Sequence, residues 1–361
     1  MGYSLNAAQA EAVLQALKQN YSVYAPKRFP KQGRYSDTDV IKYAEVEHYE
    51  DIVWQVKSDY PAKEVLTPIQ QAVFYFTEDE YRASKGPKKP ILILARPCDI
   101  NAQHVQAKIY AGNGGYTDLY YERMREKVKF ALMECNGGDD TCFCVSMGTN
   151  KTDDYSLALK FSDEGVRVQV TDETFAPYFE GMPQADYTPA FVEENELKVT
   201  VPIWTTRRCA WPRSHPSGRS LTAAASPAAP VPWPAPPAPA SPPRRHLRRD
   251  NPEVGERRRV TASCQIAGFD QMAGQREVPL HCRRADALQG APQVPRLQGP
   301  LRRGHMCVGC GRCTHRCPEL ISISATVNKV NAAVNEIRPA WPSSKKENEM
   351  TNRFSLRPVK S

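Results

Sequence analysis

The sequence predicts a mixed-sheet α/β domain over residues 1–204 followed by a small cysteine-rich metal-cluster segment, and three observations carry that prediction. Strand-length apolar runs alternate with helix-period segments through the first half of the chain, the pattern of a parallel or mixed sheet covered by helices. Composition changes abruptly after residue 205. Four cysteines then crowd into the eleven residues from Cys307 to Cys317.

Taken in order, SLNAAQAEAVLQALKQN at 4–20 reads as a helix with Ser4 at its N-cap and Ala8, Val13, Leu14 and Leu17 on one stripe. PILILA at 90–95 is an unbroken apolar run suited to a strand covered on both faces. A helix over 100–110 follows, with Asp99 placed to cap it. Gly112-Asn113-Gly114-Gly115 reads as a turn, since it lacks the Lys-Ser/Thr of a phosphate loop. KVKFALM at 127–133 is a second strand, and LALKFSDEGVRVQV reads as a hairpin turning at Asp163-Glu164-Gly165.

A chain of 361 residues has length for two or three domains and for a core that needs no disulfides. The amino-terminal residues show no leader pattern and no segment approaches a membrane span, so the expected compartment is the cytoplasm, with no membrane partner. Eleven cysteines in a reducing compartment point to metal or redox chemistry rather than to a disulfide framework. The net charge of +8 is local: residues 206–304 hold seventeen Arg and no Lys against six Asp or Glu. Nucleic acid is therefore not an expected partner.

Residues 205–304 form a Pro- and Arg-rich irregular region. Between 206 and 249 there are eleven Pro and eight Arg without one Lys, Asp or Glu, so too little apolar surface is available to offset chain entropy, and the stretch reads as a disordered linker. The same bias is what a GC-rich gene yields when translated out of frame, which makes a frame-shifted or degraded segment the competing reading for 206–249 and 276–304. Residues 250–274 return to ordinary protein text. A helix over 319–337 and a polar tail over 338–361 close the chain.

HMCVGCGRCTHRCPEL contains C-x2-C-x2-C-x3-C-P, the spacing of bacterial ferredoxin loops, and nominates Cys307, Cys310, Cys313 and Cys317 as ligands of a [4Fe-4S] cluster within a ferredoxin-type segment over 305–337. Three thiolates on one short loop reach three irons of a cubane, Gly309 and Gly311 permit the tight backbone, and Pro318 turns the chain away. Zinc is the main alternative, although its C-x2-C pairs usually come as two separated knuckles. In two-cluster ferredoxins the Cys before Pro serves the other cluster, so the cluster here either lacks a proper fourth thiolate or recruits Cys317, Cys264 or Cys282, and Cys209 reads as a remnant of a second run. His305 and His315 flank the run, either tuning it or merely solvated.

A second constellation lies in the α/β domain. Cys98 follows the strand PILILA, and Cys135, Cys142 and Cys144 follow the strand KVKFALM, where open α/β sheets place ligands. These four either converge on a second metal centre or are buried structural cysteines. No Ser-His-Asp set, carboxylate pair or nucleotide fingerprint stands out, so no catalytic residue is nominated.

Together ARPCDINA, TCFCVSMGTN, GERRRVTASC and HMCVGCGRCTHRCPE resemble the iron-sulfur electron-transfer subunit of anaerobic sulfite reductase, and are similar to the β subunits of sulfhydrogenase-type enzymes. The resemblance covers roughly 1–204, 250–274 and 305–335. It implies an α/β domain followed by a two-cluster ferredoxin-like domain, here incomplete because the run expected near 209–240 is missing and 276–304 departs from the pattern. It further implies a non-catalytic electron-transfer subunit of an oxidoreductase, carrying one [4Fe-4S] cluster and up to two more. The implied partners are an NADH-oxidising flavoprotein subunit and a sirohaem catalytic subunit that reduces sulfite to sulfide. A relay subunit of a nickel-iron hydrogenase complex is the alternative, and a non-catalytic metal-binding or inactive frame-shifted product the third.

Overall fold

The computed structural model describes residues 1–111, 117–201, 244–247, 251, 253–260, 307–317 and 321–337. Most of the Pro- and Arg-rich region, the turn at 112–115, His305, Cys209, Cys264, Cys282 and the polar tail lie outside the described residues.

Ser4 belongs to a strand, not to a helix cap. Gly2–Leu5 form β1, and α1 spans Ala7–Asn20, with Asn6 and Gln9 closing a reciprocal capping box at 2.9 and 3.0 Å. The apolar stripe of α1 is Ala10, Val13, Leu14 and Leu17, while Ala8 faces solvent. The other strands of the main sheet are β2 (Ser22–Phe29), β3 (Val40–Glu45), β6 (Ile91–Ala95), β7 (Val128–Met133), β8 (Leu157–Ser162) and β9 (Gly165–Val170). They form one seven-stranded sheet in the order β1-β9-β8-β7-β6-β2-β3. The neighbours β8, β7, β6 and β2 are parallel, and the pairings outside them are antiparallel. The N-terminal region is thus a mixed-sheet α/β unit, with the hairpin turning where Gly165 follows Asp163-Glu164.

Strand β6 shows why an unbroken apolar run was required. Leu92 and Leu94 face a core shared with α1, whereas Ile91, Ile93 and Ala95 face the opposite core, where they meet Ile100 and Tyr121. Three helices cover that second face: α2 (Lys63–Leu66), α3 (Pro97–Tyr110) and α4 (Leu119–Arg125).

A second, antiparallel sheet joins distant parts of the chain. β4 (Gln70–Phe76) pairs with β5 (Tyr81–Ala83) and with β11 (Gly255–Val260), which pairs in turn with β10 (Arg244–Leu247). Arg259 of β11 forms an ion pair with Asp118, the N-cap of α4. The chain returns to the α/β unit once more, through α5 (Arg312–His315) and α6 (Ile323–Ile337). Val327 and Ile323 of α6 pack with Val199, Phe143 and Cys307. Among the described residues no helix is long and apolar enough to cross a membrane.

Candidate metal centre

β6 and β7 run parallel and adjacent, so the segments leaving Ala95 and Met133 emerge side by side at the carboxyl edge of the sheet. The first segment turns at once into α3, with Pro97 in its opening turn. Cys98 is therefore a helical residue in that turn, and Asp99 lies inside the helix rather than capping it. The second segment carries Cys135, Cys142 and Cys144.

The cysteine run sits on this second segment through three bonds to its backbone carbonyls. The Phe143 amide donates to Gly309 O at 2.8 Å, the Thr149 hydroxyl to Val308 O at 2.5 Å, and the Cys142 thiol to Cys310 O at 3.7 Å. Such close approach requires glycine. Gly309 and Gly311 hold φ of +66° and +69°, and a Cβ at Gly311 would stand 2.3 Å from the Thr141 carbonyl oxygen. Gly311→Ala is expected to lower stability by roughly 1–3 kcal/mol through backbone strain alone. A denaturant midpoint equal to that of the parent would show that neither the left-handed backbone nor the approach to Thr141 constrains position 311.

Cys307, Cys310, Cys313 and Cys317 are all buried, none above 7% exposed. Cys142 is also buried, Cys98, Cys135 and Cys144 are partly so, and all eight are free thiols. The cysteines of the α/β domain form one neighbourhood: Cys144 interacts electrostatically with Cys142, Cys135 and Cys98, while Cys98 and Cys142 both interact with Cys310. The two predicted constellations thus share a wall. Among the described residues no three His, Cys, Asp or Glu side chains converge on a single-ion position, whereas the thiolates of a cubane bind separate irons. His315 is exposed, on the solvent side of the run.

Burial pushes the Cys307 thiol up to about 12 and that of Cys144 to about 11, and it raises Cys98 and Cys313 strongly. As free thiols these groups hold their protons, and the thiolate forms need positive charge nearby. The protein supplies several cations. The Lys57 ammonium donates to Cys310 O at 3.1 Å and to Cys142 Sγ at 3.4 Å. Arg96 Nη1 is 4.0 Å from Cys135 Sγ. Lys63, whose ammonium burial pushes down to about 8, interacts electrostatically with Cys310. Arg312, between Cys310 and Cys313, is fully buried in a bidentate pair with Asp99, at 2.6 and 2.8 Å.

Sequence reading did not single out Lys57 or Arg312 and gave Asp99 a local role. The partners of Lys57, namely Asp139, Thr141, Cys142 and Cys310, are all far along the chain, so no local pattern marks it. Arg312 carried a weak signal, a charged residue enclosed by four cysteines that must all turn inward.

Residues 244–321 match the family described as 4Fe-4S dicluster domain. The chain is also 27% identical over 155 residues to sulfhydrogenase 2 subunit beta of Pyrococcus furiosus, a stretch that is 43% of this chain and 43% of that protein. This chain therefore spans less than half the length of the curated relative it matches. No solved structure matches it. The residues present fit the cofactor of the matched family: four buried free cysteines at cubane spacing, two left-handed glycines and a lining of buried cations. The C-terminal segment is a ferredoxin-like domain whose cofactor is a 4Fe-4S cluster. Two clusters would require eight thiolates, and the matched residues contain six cysteines, of which Cys264 and Cys282 lie outside the described residues.

Proposed function

We propose that this chain is an iron-sulfur electron-relay subunit of a multi-subunit oxidoreductase and is not itself the catalytic subunit. The observation that carries this reading is the seating of the buried run Cys307–Cys317 against the Cys142 and Cys144 segment, inside a chain that matches a 4Fe-4S dicluster family. Cys307, Cys310, Cys313 and Cys317 hold one [4Fe-4S] cluster, and Cys98, Cys135, Cys142 and Cys144 hold a second centre. When bound, such clusters take up and release single electrons. The chain's own residues bury the sulfurs and exclude water, and the cations they place beside the sulfurs favour gaining an electron. The organisation that goes with this reading is an α/β domain over 1–204, a Pro- and Arg-rich region over 205–304 in which β10 and β11 form strands, the cluster segment over 305–337 and a tail over 338–361.

Two complexes fit such a relay. A sulfhydrogenase-type hydrogenase is favoured by the similarity to a sulfhydrogenase β subunit. Anaerobic sulfite reduction, with an NADH-oxidising flavoprotein and a sirohaem subunit as partners, is favoured by the combined sequence motifs around Cys98, Cys142, Cys264 and Cys310. A reducing, cytoplasmic setting suits eight free thiols in either case.

Iron and acid-labile sulfide determination on anaerobically purified chain tests the relay directly. About four iron and four sulfide at the C-terminal run, or about eight of each with the second centre filled, with a cubane EPR signal after dithionite reduction, are expected. A colourless, zinc-loaded protein would sink the reading. Nickel or sirohaem in the co-purified complex separates the two assemblies.

A further inference from the structure

We propose that Lys57 is a positioning residue common to both iron-sulfur sites, its buried ammonium bridging the Cys142 sulfur and the Cys310 peptide and favouring the reduced state of each site. The inference rests on the cluster reading above and adds to it a residue that ties the two centres together.

Lys57 lies in the segment between β3 and α2, yet only 5% of its side chain is exposed. Its Nζ is 3.2 Å from Thr141 Oγ1, 3.4 Å from Cys142 Sγ, 3.1 Å from Cys310 O and 3.1 Å from Asp139 Oδ2. Four acceptors surround three N–H bonds, so the ammonium is held from several sides. All four belong to the two cysteine loops, three to the segment that carries Cys135, Cys142 and Cys144 and one, the Cys310 carbonyl, to the run.

Burying an ammonium costs several kcal/mol unless charge and hydrogen bonds compensate it. Asp139 is the near counter-ion, but a quarter of its side chain meets solvent, and the Thr141 amide and hydroxyl also approach its Oδ1, each at 3.3 Å. Water screens the carboxylate, whereas the ammonium points inward to a sulfur and a carbonyl where the dielectric is low. The positive end of the pair is thus the end turned toward the Cys142 sulfur and the Cys310 carbonyl. A thiolate-bound cluster is a net anion that becomes more negative on reduction. A fixed cation beside its ligands stabilises the reduced form more than the oxidised one, and an N–H···S bond acts in the same direction.

The test is a redox titration of the full chain, followed by low-temperature EPR, for the parent, Lys57→Met, Lys57→Arg and Asp139→Asn. In Lys57→Met the midpoint potentials of both sites are expected to move to more negative values with iron and sulfide content retained. Lys57→Arg should recover at least half of that shift, and Asp139→Asn, which leaves the ammonium without its counter-ion, should shift both potentials the opposite way. A purely structural lysine predicts no opposed shifts. Iron-loaded Lys57→Met and Asp139→Asn proteins with parental potentials overturn the proposal and leave the cluster reading intact. Should Lys57→Met fail to fold or to keep iron, Lys57→Gln, which keeps a hydrogen-bond donor without the charge, takes its place, a negative shift of both potentials supporting the proposal and parental potentials overturning it. A parent chain without iron overturns the cluster reading itself, and the proposal with it.

Discussion

Cys310→Ala is expected to abolish the cubane EPR signal of the C-terminal run and to remove about four iron atoms per chain. Cys310 occupies the middle of the run, 4% exposed, packed against Ala102, Val105 and Val308. Alanine is apolar and only slightly smaller, so the packing loss is modest and the fold should survive. What disappears is one thiolate of a set in which each sulfur holds its own iron. Contacts made by the Cys310 backbone carbonyl, to Lys57 and to the Cys142 thiol, are left in place, which separates the ligand from the loop that carries it. Iron analysis and EPR of the anaerobically prepared variant give the answer. Full iron with an unchanged signal would remove Cys310 from the ligand set, and with it the four-cysteine assignment. Iron that survives Cys310→Ala but is lost in Cys144→Ala belongs to the second centre.

The parts of the molecule readable from sequence were those whose cause is local. An unbroken run such as ILILA states its own burial, the Asp163-Glu164-Gly165 turn states its hairpin, and C-x2-C-x2-C-x3-C states a cluster loop by spacing. Other elements depend on partners far along the chain. β1 is a strand because Gly2–Leu5 pair with Val166–Gln169, so the residue that reads as a cap, Ser4, is a rung of a ladder, and the cap passes to Asn6. β2 contains Pro26 and two basic residues, an unpromising strand by pattern, yet its parallel pairing uses only Ser22, Val23 and Tyr24. β4 finds its partner β11 across the chain, Gln70 pairing with Val260. The site divides in the same way. Ligand candidates follow from spacing, whereas the buried cations among them, Lys57 beside the Cys142 sulfur and Arg312 paired with Asp99, emerge only once the run is seated on the α/β unit.

Arg312→Ala is expected to destabilise the protein by about 3–5 kcal/mol, because it strands a buried carboxylate. The guanidinium and Asp99 are each 1% exposed and joined by two parallel bonds, and the guanidinium also donates to Ser58 O at 2.8 Å and Ser58 Oγ at 2.9 Å. Without it, Asp99 keeps, among the described residues, the Tyr43 hydroxyl at 3.1 Å as its remaining side-chain hydrogen-bond partner in a site closed to solvent. Asp99 adjoins Cys98 and Arg312 lies between Cys310 and Cys313, so the pair fastens the cysteine run to the helix that bears Cys98. Loosening should therefore appear twice, as a lower denaturant midpoint and as faster iron loss to a chelator. The double variant Asp99→Leu/Arg312→Met removes both charges and should be closer to the parent than Arg312→Ala, since an apolar pair of similar volume leaves no buried charge behind, only the neutral Tyr43 and Ser58 groups that the pair had bonded. Arg316 supplies the control on the same loop. Its contacts to Asp59 at 3.2 Å and to the Tyr60 hydroxyl at 2.9 Å are nearer solvent, and Arg316→Ala should change stability by about 1 kcal/mol or less. Equal losses in the Arg312 and Arg316 variants would assign the effect to the net charge of the loop and rule out the buried latch.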